Sequence, residues 1–443
     1  MRETCSKRFF VLIALAGVFL SPTRAAAQSG GIDLAKARQY FEEARALCEK
    51  DGGKLWGVSL CSPILLVDSQ TRQLVASQAD AEGKLTREGE VFVGRFPENE
   101  NTGNTAMRWA GVHWTMLLWP LPEEEVARRT LVAHELFHHA QEQLGMPMDN
   151  VLCSHLDMRE GRIWLRLEWR ALRAALQSKG KARRAAILDA VIFRAQRRAL
   201  FPRAAQDENA LELNEGLAEF TGLRLRGTPV AETMTFLAER LGEAEKRRSF
   251  VRQFAYETGA AYGLLLDASG REWRKKVKAG NDLGALLAEA NSLRVPTALA
   301  AEAEKKAAHY EGATLRAAEV AREEEQKKRE REYRARLIDA PVLVLPLSGR
   351  IGLSFDPYAV LALGEEQTVY ATLRVTAPWG ILDAKNGALV GREGEKMKHV
   401  AVPAPADTQK RPLEGDGWKL ELAAGWTLAA GERKGDFILR KGE

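Results

Sequence analysis

The stretch His134-Glu135-Leu136-Phe137-His138 decides how the rest of the chain reads. On a helix, residues four apart project from one face, so the two imidazoles suit two adjacent positions on a tetrahedral zinc ion. Glu135, beside the first histidine, is then placed to take a proton from a water that the metal polarises. The flanks agree with a helix: Glu123-Glu124-Glu125 put acidic charge where the helix dipole favours it, and Gly145 follows an end expected near Leu144. Val112 to Trp119 reads as the strand before this helix, stopped by Pro120-Leu121-Pro122. A strand so placed is expected to be the sheet edge along which an extended peptide lies.

Two histidines do not complete a catalytic site, so a third ligand is needed downstream. A glycine and third histidine soon after the motif are absent, because Gln141 and Leu144 occupy those positions. Leu213-Asn214-Glu215-Gly216-Leu217-Ala218-Glu219 is the better candidate. Glu215 can supply a carboxylate oxygen, and Glu219, one turn later, can accept a hydrogen bond from a metal-bound imidazole and set its tautomer. His155 is the rival ligand, in the loop-like context Cys153-Ser154-His155-Leu156-Asp157. His139 points about 100° round the helix from His138, which directs it to solvent or behind the site.

With these residues the chain resembles the gluzincins, the zinc metallopeptidases similar to thermolysin and aminopeptidase N, whose ligands are the two histidines of HExxH and a later glutamate. Asn214-Glu215-Gly216 is similar to the glutamate segment of the aminopeptidase N family, which implies Glu215 as ligand. Tyr256-Glu257-Thr258-Gly259 is similar to that family's Tyr-x-x-Gly stretch, which implies that Tyr256 steadies the oxyanion of the tetrahedral intermediate; a phenol is a neutral donor suited to that role. Tyr262 is the second candidate. The resemblance covers residues 110 to 270 and has two departures. The spacing between His138 and Glu215 is long enough for an inserted helical pair between about 156 and 201. Where that family has Gly-x-Met-Glu-Asn, this chain has Gly103-Asn104-Thr105-Ala106-Met107-Arg108, with no glutamate to bind a substrate amino terminus.

Outward from the site, Asp33 is a cap for a helix running to about Lys50, closed by Asp51-Gly52-Gly53. Leu55 to Val67 and Gln73 to Ser77 read as paired strands, and Glu90 to Phe96 as another. From Leu156 to Leu293 the apolar spacing is helical, in segments that include Ala210 to Leu225, Val230 to Leu241, Phe250 to Leu266 and Leu283 to Ala290. Leu299 to Arg336 carries a charge run, Glu323 to Glu332, that reads as a solvated helix laced with i,i+4 ion pairs. Val342 to Leu347, Thr368 to Val375 and Trp418 to Leu422 suggest strands of a separate domain. Trp109, Trp114 and Trp119 are expected in the core or along a substrate groove.

At the other end, Arg2, Lys7 and Arg8, the apolar run Phe9 to Leu20, and Ala25-Ala26-Ala27 form the pattern of a secretory signal cleaved after Ala27. A secreted or periplasmic protein is expected. The formal charge is only +5 over 443 residues, which gives no support for a nucleic-acid partner. No later stretch is apolar enough to span a bilayer, so no stable membrane insertion is expected once the signal is removed. An oxidising compartment permits a disulfide, with Cys48 and Cys61 the local pair and Cys153 left over.

The expected architecture is α+β: signal peptide 1–27; a gluzincin-like zinc peptidase domain 28–297, with helix and sheet in 28–122 and helices in 123–297; a charged helical spacer 298–337; and a small C-terminal β domain 338–443. The expected function is Zn2+-dependent hydrolysis of peptide or protein substrates by an endo- or oligopeptidase. Its ligands are His134, His138 and Glu215, its catalytic residues Glu135 and Tyr256, and Glu219 supports from behind. The alternative is an inactive, peptidase-like binder of peptides or cell-envelope partners with a structural zinc; the intact Glu135 speaks against it. Oligomeric state is left open.

Overall fold

The computed structural model describes residues 31–442 apart from 98–99, 147, 150, 350, 356–358, 365 and 395. The expected signal segment, residues 1–27, lies outside the described residues. The chain is mixed α and β and divides into two units, up to Ala313 and from Thr314.

In the first unit, Asp33 caps α1 (Leu34–Asp51) by accepting hydrogen bonds from the backbone N–H groups of Ala35 and Lys36 at 2.9 and 3.1 Å. Gly52, at φ 55°, ends it in the left-handed conformation that glycine adopts without strain. The strand expected from Leu55 begins only at Ile64. Before it, Cys61 is tied back to Cys48 by a disulfide, and Trp56 is buried against Phe137, Phe220 and Trp273. The sheet then comprises β1 (Ile64–Asp68), β2 (Gln73–Ala76), β3 (Thr86–Glu88), β4 (Val91–Arg95), β5 (Thr105–Trp109) and β6 (Val112–Trp119), in the order β3-β4-β2-β1-β6-β5.

Strand β6 is therefore not the sheet edge, contrary to the expectation from its position before the histidine helix. It is paired in parallel with β1 on one side and antiparallel with β5 on the other. The cause is the two-residue loop Ala110-Gly111, whose residues both have positive φ (47° and 73°). That backbone matches the twist of a hairpin and folds Thr105–Trp109 back onto β6, making β5 the edge.

Glu124 caps α2 (Glu125–Ala140), its carboxylate accepting from the backbone N–H groups of Val126 and Ala127. The helix ends at Ala140, and residues 141–145 form turns up to Gly145 at φ 66°. The long spacing after the motif is filled by the expected helical pair, α3 (Arg159–Gln177) and α4 (Gly180–Leu200), followed by α5 (Ala204–Leu211). Residues 210–225 are not one regular helix: a π-helical turn, Glu212–Gly216, separates α5 from α6 (Leu217–Leu225). Then come α7 (Val230–Ala244), α8 (Phe254–Ala268) and α9 (Leu283–Ala290).

A buried ion network holds α4 in place. Arg194 reaches Glu212 at 2.5 Å and Glu168 at 3.4 Å; Arg197 pairs with Glu168 and with Glu208 at 2.7 Å; Arg198 joins Glu208 to Asp282. Burial opposes charge on Glu208, yet Arg197, His155 and Arg198 hold its carboxyl well below the usual range. Burial likewise opposes charge on Asp282, but Arg194 and Arg198 lower its pKa to about 2.

The first unit extends past the boundary expected at 297/298. Helix α10 (Leu299–Ala307) packs on α4 with Ala303 and Ala307 buried; Lys306 and Tyr310 both reach Asp189 of α4 at 3.0 Å. In the second unit, the part of α11 (Gly312–Arg334) from Thr314 onward bears an ion pair of the expected i,i+4 kind, Glu323 with Lys327, and an i,i+3 pair, Arg322 with the buried Glu319. Beyond it, strands between Val342 and Lys441 form a seven-stranded and a five-stranded sheet, with Leu343, Val375, Trp379, Leu382, Val400 and Leu420 in one core. The segment expected as one strand from Thr368 to Val375 is two, Gln367–Tyr370 in the larger sheet and Leu373–Ala377 in the smaller. Among the described residues, no helix is long and apolar enough to cross a membrane.

Two outcomes follow from the ion network. Arg197→Met removes the cation that Glu168 and Glu208 share, leaving Glu168 to Arg194 and Tyr262 and Glu208 to Arg198 and His155, and is expected to cost about 3 kcal/mol in urea unfolding. Asp282, with a folded pKa below its ordinary value, contributes stability that is present above pH 4 and lost as pH falls through about 2. The cost of Asp282→Asn, about 2 kcal/mol at neutral pH, is expected to shrink over that window in the same assay.

Candidate metal centre

Helix α2 buries His134, Glu135 and His138 on one side, 4 to 8% exposed, because α6 packs against that side. The approach is backbone to backbone: a Cβ on Gly222 of α6 would lie 2.6 Å from the Thr130 carbonyl oxygen of α2. Helix α8 crosses the other side of the π-helical turn as closely. A Cβ on Gly216 would meet the Ala255 carbonyl oxygen and Gly259 Cα, each at 2.7 Å. The glycines of the Asn-Glu-Gly and Tyr-x-x-Gly segments thus touch each other.

This packing brings Glu215 to the two histidines. The Nε2 atoms of His134 and His138 are 3.1 Å apart, and Glu215 Oε2 lies 3.5 and 3.6 Å from them. Ligands of a tetrahedral ion held at about 2.0–2.1 Å are about 3.3 Å apart, so the three atoms match one face of such a polyhedron. The other ring nitrogens have acceptors. His134 Nδ1 is 3.3 Å from Glu219 Oε2, and His138 Nδ1 is 2.6 Å from Gln141 Oε1. With the Nδ1 hydrogens directed there, both Nε2 lone pairs face the Glu215 carboxylate.

Acceptors that converge in this way call for positive charge, supplied by a proton on His134 or by a metal ion in its place. Burial opposes charge on His134, yet its hydrogen bonds to Glu215 and Glu219, with Glu135 nearby, raise its pKa to about 10. Burial also opposes charge on Glu215 and Glu219, but the histidines hold Glu215 well below the carboxylate range, and Arg240 with His134 lowers Glu219 to about 2. The pocket is short of positive charge, and His134, His138 and Glu215 could hold a metal ion.

Glu135 Oε1 stands 4.0 Å from His134 Nε2, while its Oε2 is buried with no hydrogen-bond partner. Burial raises its pKa, more than the neighbouring histidines lower it. Tyr256 stacks on His134, with centroids 5.7 Å apart and planes 7° from parallel. Burial and the Glu215 carboxylate, with which it shares a hydrogen bond, keep its phenol protonated, its pKa well above the ordinary value.

The other candidates are elsewhere. Tyr262 donates to Glu168 at 2.6 Å, and His155 meets Glu208 at 2.8 Å, so both belong to the ion network. His139 neither faces solvent nor supports the site; it is half-buried, stacked on His113 at 4.1 Å, and burial pushes its pKa down to about 4. Trp109 and Trp114 fill the core of the first sheet, and Trp119 packs on Tyr40. Three contributing residues were not foreseen. Gln141 follows His138 by three, a spacing at which side chains on a helix meet. Arg240 of α7 binds Glu219 and, at 3.3 Å, the Tyr256 carbonyl oxygen; Arg252, just before α8, binds Glu215 Oε1 at 2.6 Å.

Removing the acceptor behind His138 by Gln141→Leu is expected to weaken divalent metal binding about 10- to 100-fold in a chelator-competition titration. No family model matches this chain, and no curated protein or solved structure matches it, so the geometry itself carries the functional reading.

Proposed function

We propose that this protein is a gluzincin-like, zinc-dependent peptidase that hydrolyses internal peptide bonds of peptide or protein substrates. The observation that carries the reading is the convergence of His134 Nε2, His138 Nε2 and Glu215 Oε2 beside a buried, unpartnered oxygen of Glu135. A closed structural site has no need of an unsatisfied base next to its ligands.

Two imidazoles and a carboxylate suit zinc, which supplies a Lewis acid that brings the pKa of water toward neutrality and polarises a carbonyl. The chain's own groups do the rest. Glu135, its basicity raised by burial, takes the proton of the attacking water and passes it to the leaving amine. The Tyr256 phenol donates a hydrogen bond to the substrate oxygen as that oxygen gains charge. Glu219 and Gln141 hold the imidazoles in the tautomer that leaves Nε2 free.

Asn104 to Arg108, where an aminopeptidase would place its amine-binding glutamate, leads into and along edge strand β5 without an acidic residue, and Arg108 is paired with Glu142. This favours endo- or oligopeptidase action. The Cys48–Cys61 disulfide supports export to an oxidising compartment.

The test is cleavage of a mixed peptide library by wild type and Glu135→Gln, read by mass spectrometry. Wild type is expected to lose activity to a chelator and regain it with zinc. The variant is expected to keep the metal and lose about 10²- to 10⁴-fold in kcat. A wild type that holds zinc and cleaves nothing, or a variant as active as wild type, overturns the proposal.

A further inference from the structure

The two oxygens of Glu215 are used differently. Oε2 faces the Nε2 atoms of His134 and His138, whereas Oε1 accepts from Arg252 Nη2 at 2.6 Å. Arg252 lies four residues before Tyr256, one turn away, so both side chains reach Glu215 from the start of α8. A carboxylate can bind a cation through one oxygen or through both. A bidentate Glu215 would place a second oxygen on the metal, crowding the position that a catalytic site keeps for water or substrate.

The geometry points to Arg252 as a positioning residue that restricts Glu215 to one-oxygen metal ligation and so keeps the fourth coordination position open. A charge-assisted hydrogen bond of this length is among the stronger single contacts available to a carboxylate, and it withdraws negative charge that would otherwise fall on the metal. Arg252 thereby acts on the reaction through Glu215 without touching the substrate. The inference rests on the proposed metal-dependent function.

The experiment uses the full mature chain loaded with Co2+ alone. Wild type is expected to give the intense visible absorption of four-coordinate cobalt. Arg252→Met is expected to weaken those bands, as Glu215 closes on the ion with both oxygens, and to lower kcat about 10- to 100-fold with KM unchanged. Arg252→Lys, which restores charge and a donor, is expected to recover both. The Arg252 side chain is 26% exposed, and urea unfolding of each variant reads the fold separately from the site; Arg252→Gln is a second neutral variant with the same expectation as Met. Neutral variants with wild-type cobalt spectra overturn the inference while leaving the metal centre standing. A wild type that takes up no Co2+ overturns the metal centre itself.

Discussion

The site exists because three helix backbones come closer than side chains would allow. Helix α6 lies between α2, which carries the histidines, and α8, which carries Tyr256, and glycines stand at both contacts: Gly222 against the Thr130 carbonyl, Gly216 against Gly259. Helices separated by ordinary side chains pack with axes about 8–10 Å apart. Glu215 has only two methylenes with which to reach Nε2 of His134 and His138. At ordinary separation its carboxylate would fall short, and Tyr256 could not stack on His134. A methyl group at Gly216 or Gly259 would therefore disturb the positions of Glu215 and Tyr256 together.

The second constraint is rotational. Glu212 and Glu215 occupy one π-helical turn, a feature that re-aims side chains within an otherwise α-helical run. Glu212 is held by Arg194 on one side of that turn, and Glu215 by Arg252 on the other. Buried ion pairs of this kind add little net stability but penalise any register that breaks them. The α3–α4 pair, which lies between His138 and Glu215 in the chain, supplies Arg194, Arg197 and Glu168 to this network. That helical pair therefore orients the turn bearing Glu215.

Local signals were legible where one principle dominates. Asp33 capping α1, Val112–Trp119 as a strand and Leu283–Ala290 as a helix follow from capping and periodicity. The nearness of Glu215 and Glu219 to the histidines was legible because a spacing of four puts both carboxylates on one helix face, and both do meet the imidazoles. The misses lie where distant contacts override local pattern. Residues 210–225 have continuous helical apolar spacing, so nothing local marks the π-helical turn. The positive φ of Ala110, which makes β5 the edge, is not written in an alanine. Thr368 to Val375 reads as one strand because its β propensity is unbroken, yet the chain passes from one sheet to the other at Ala371-Thr372. Arg240 and Arg252 meet their carboxylates only after α7 and α8 fold over the motif.

Those two arginines bear on how charge is distributed in the proposed mechanism. Glu219 and Glu215 would each divert part of a metal's charge, Glu219 through His134 and Glu215 directly. Arg240 on the first and Arg252 on the second offset that negative charge at oxygens other than those facing the ligand set. Glu135 is left as the buried carboxylate at the ligand set without such an offset, which is the condition a base needs. A divalent ion in this pocket then retains a surplus of positive charge for the oxygen of a substrate carbonyl. The buried, protonated Tyr256 adds a neutral donor and no compensating anion. In the proposed reaction, preorganised charge of this sign favours the oxyanion over the neutral carbonyl, so the contacts that hold Glu215 and Glu219 would also bias the site toward the transition state.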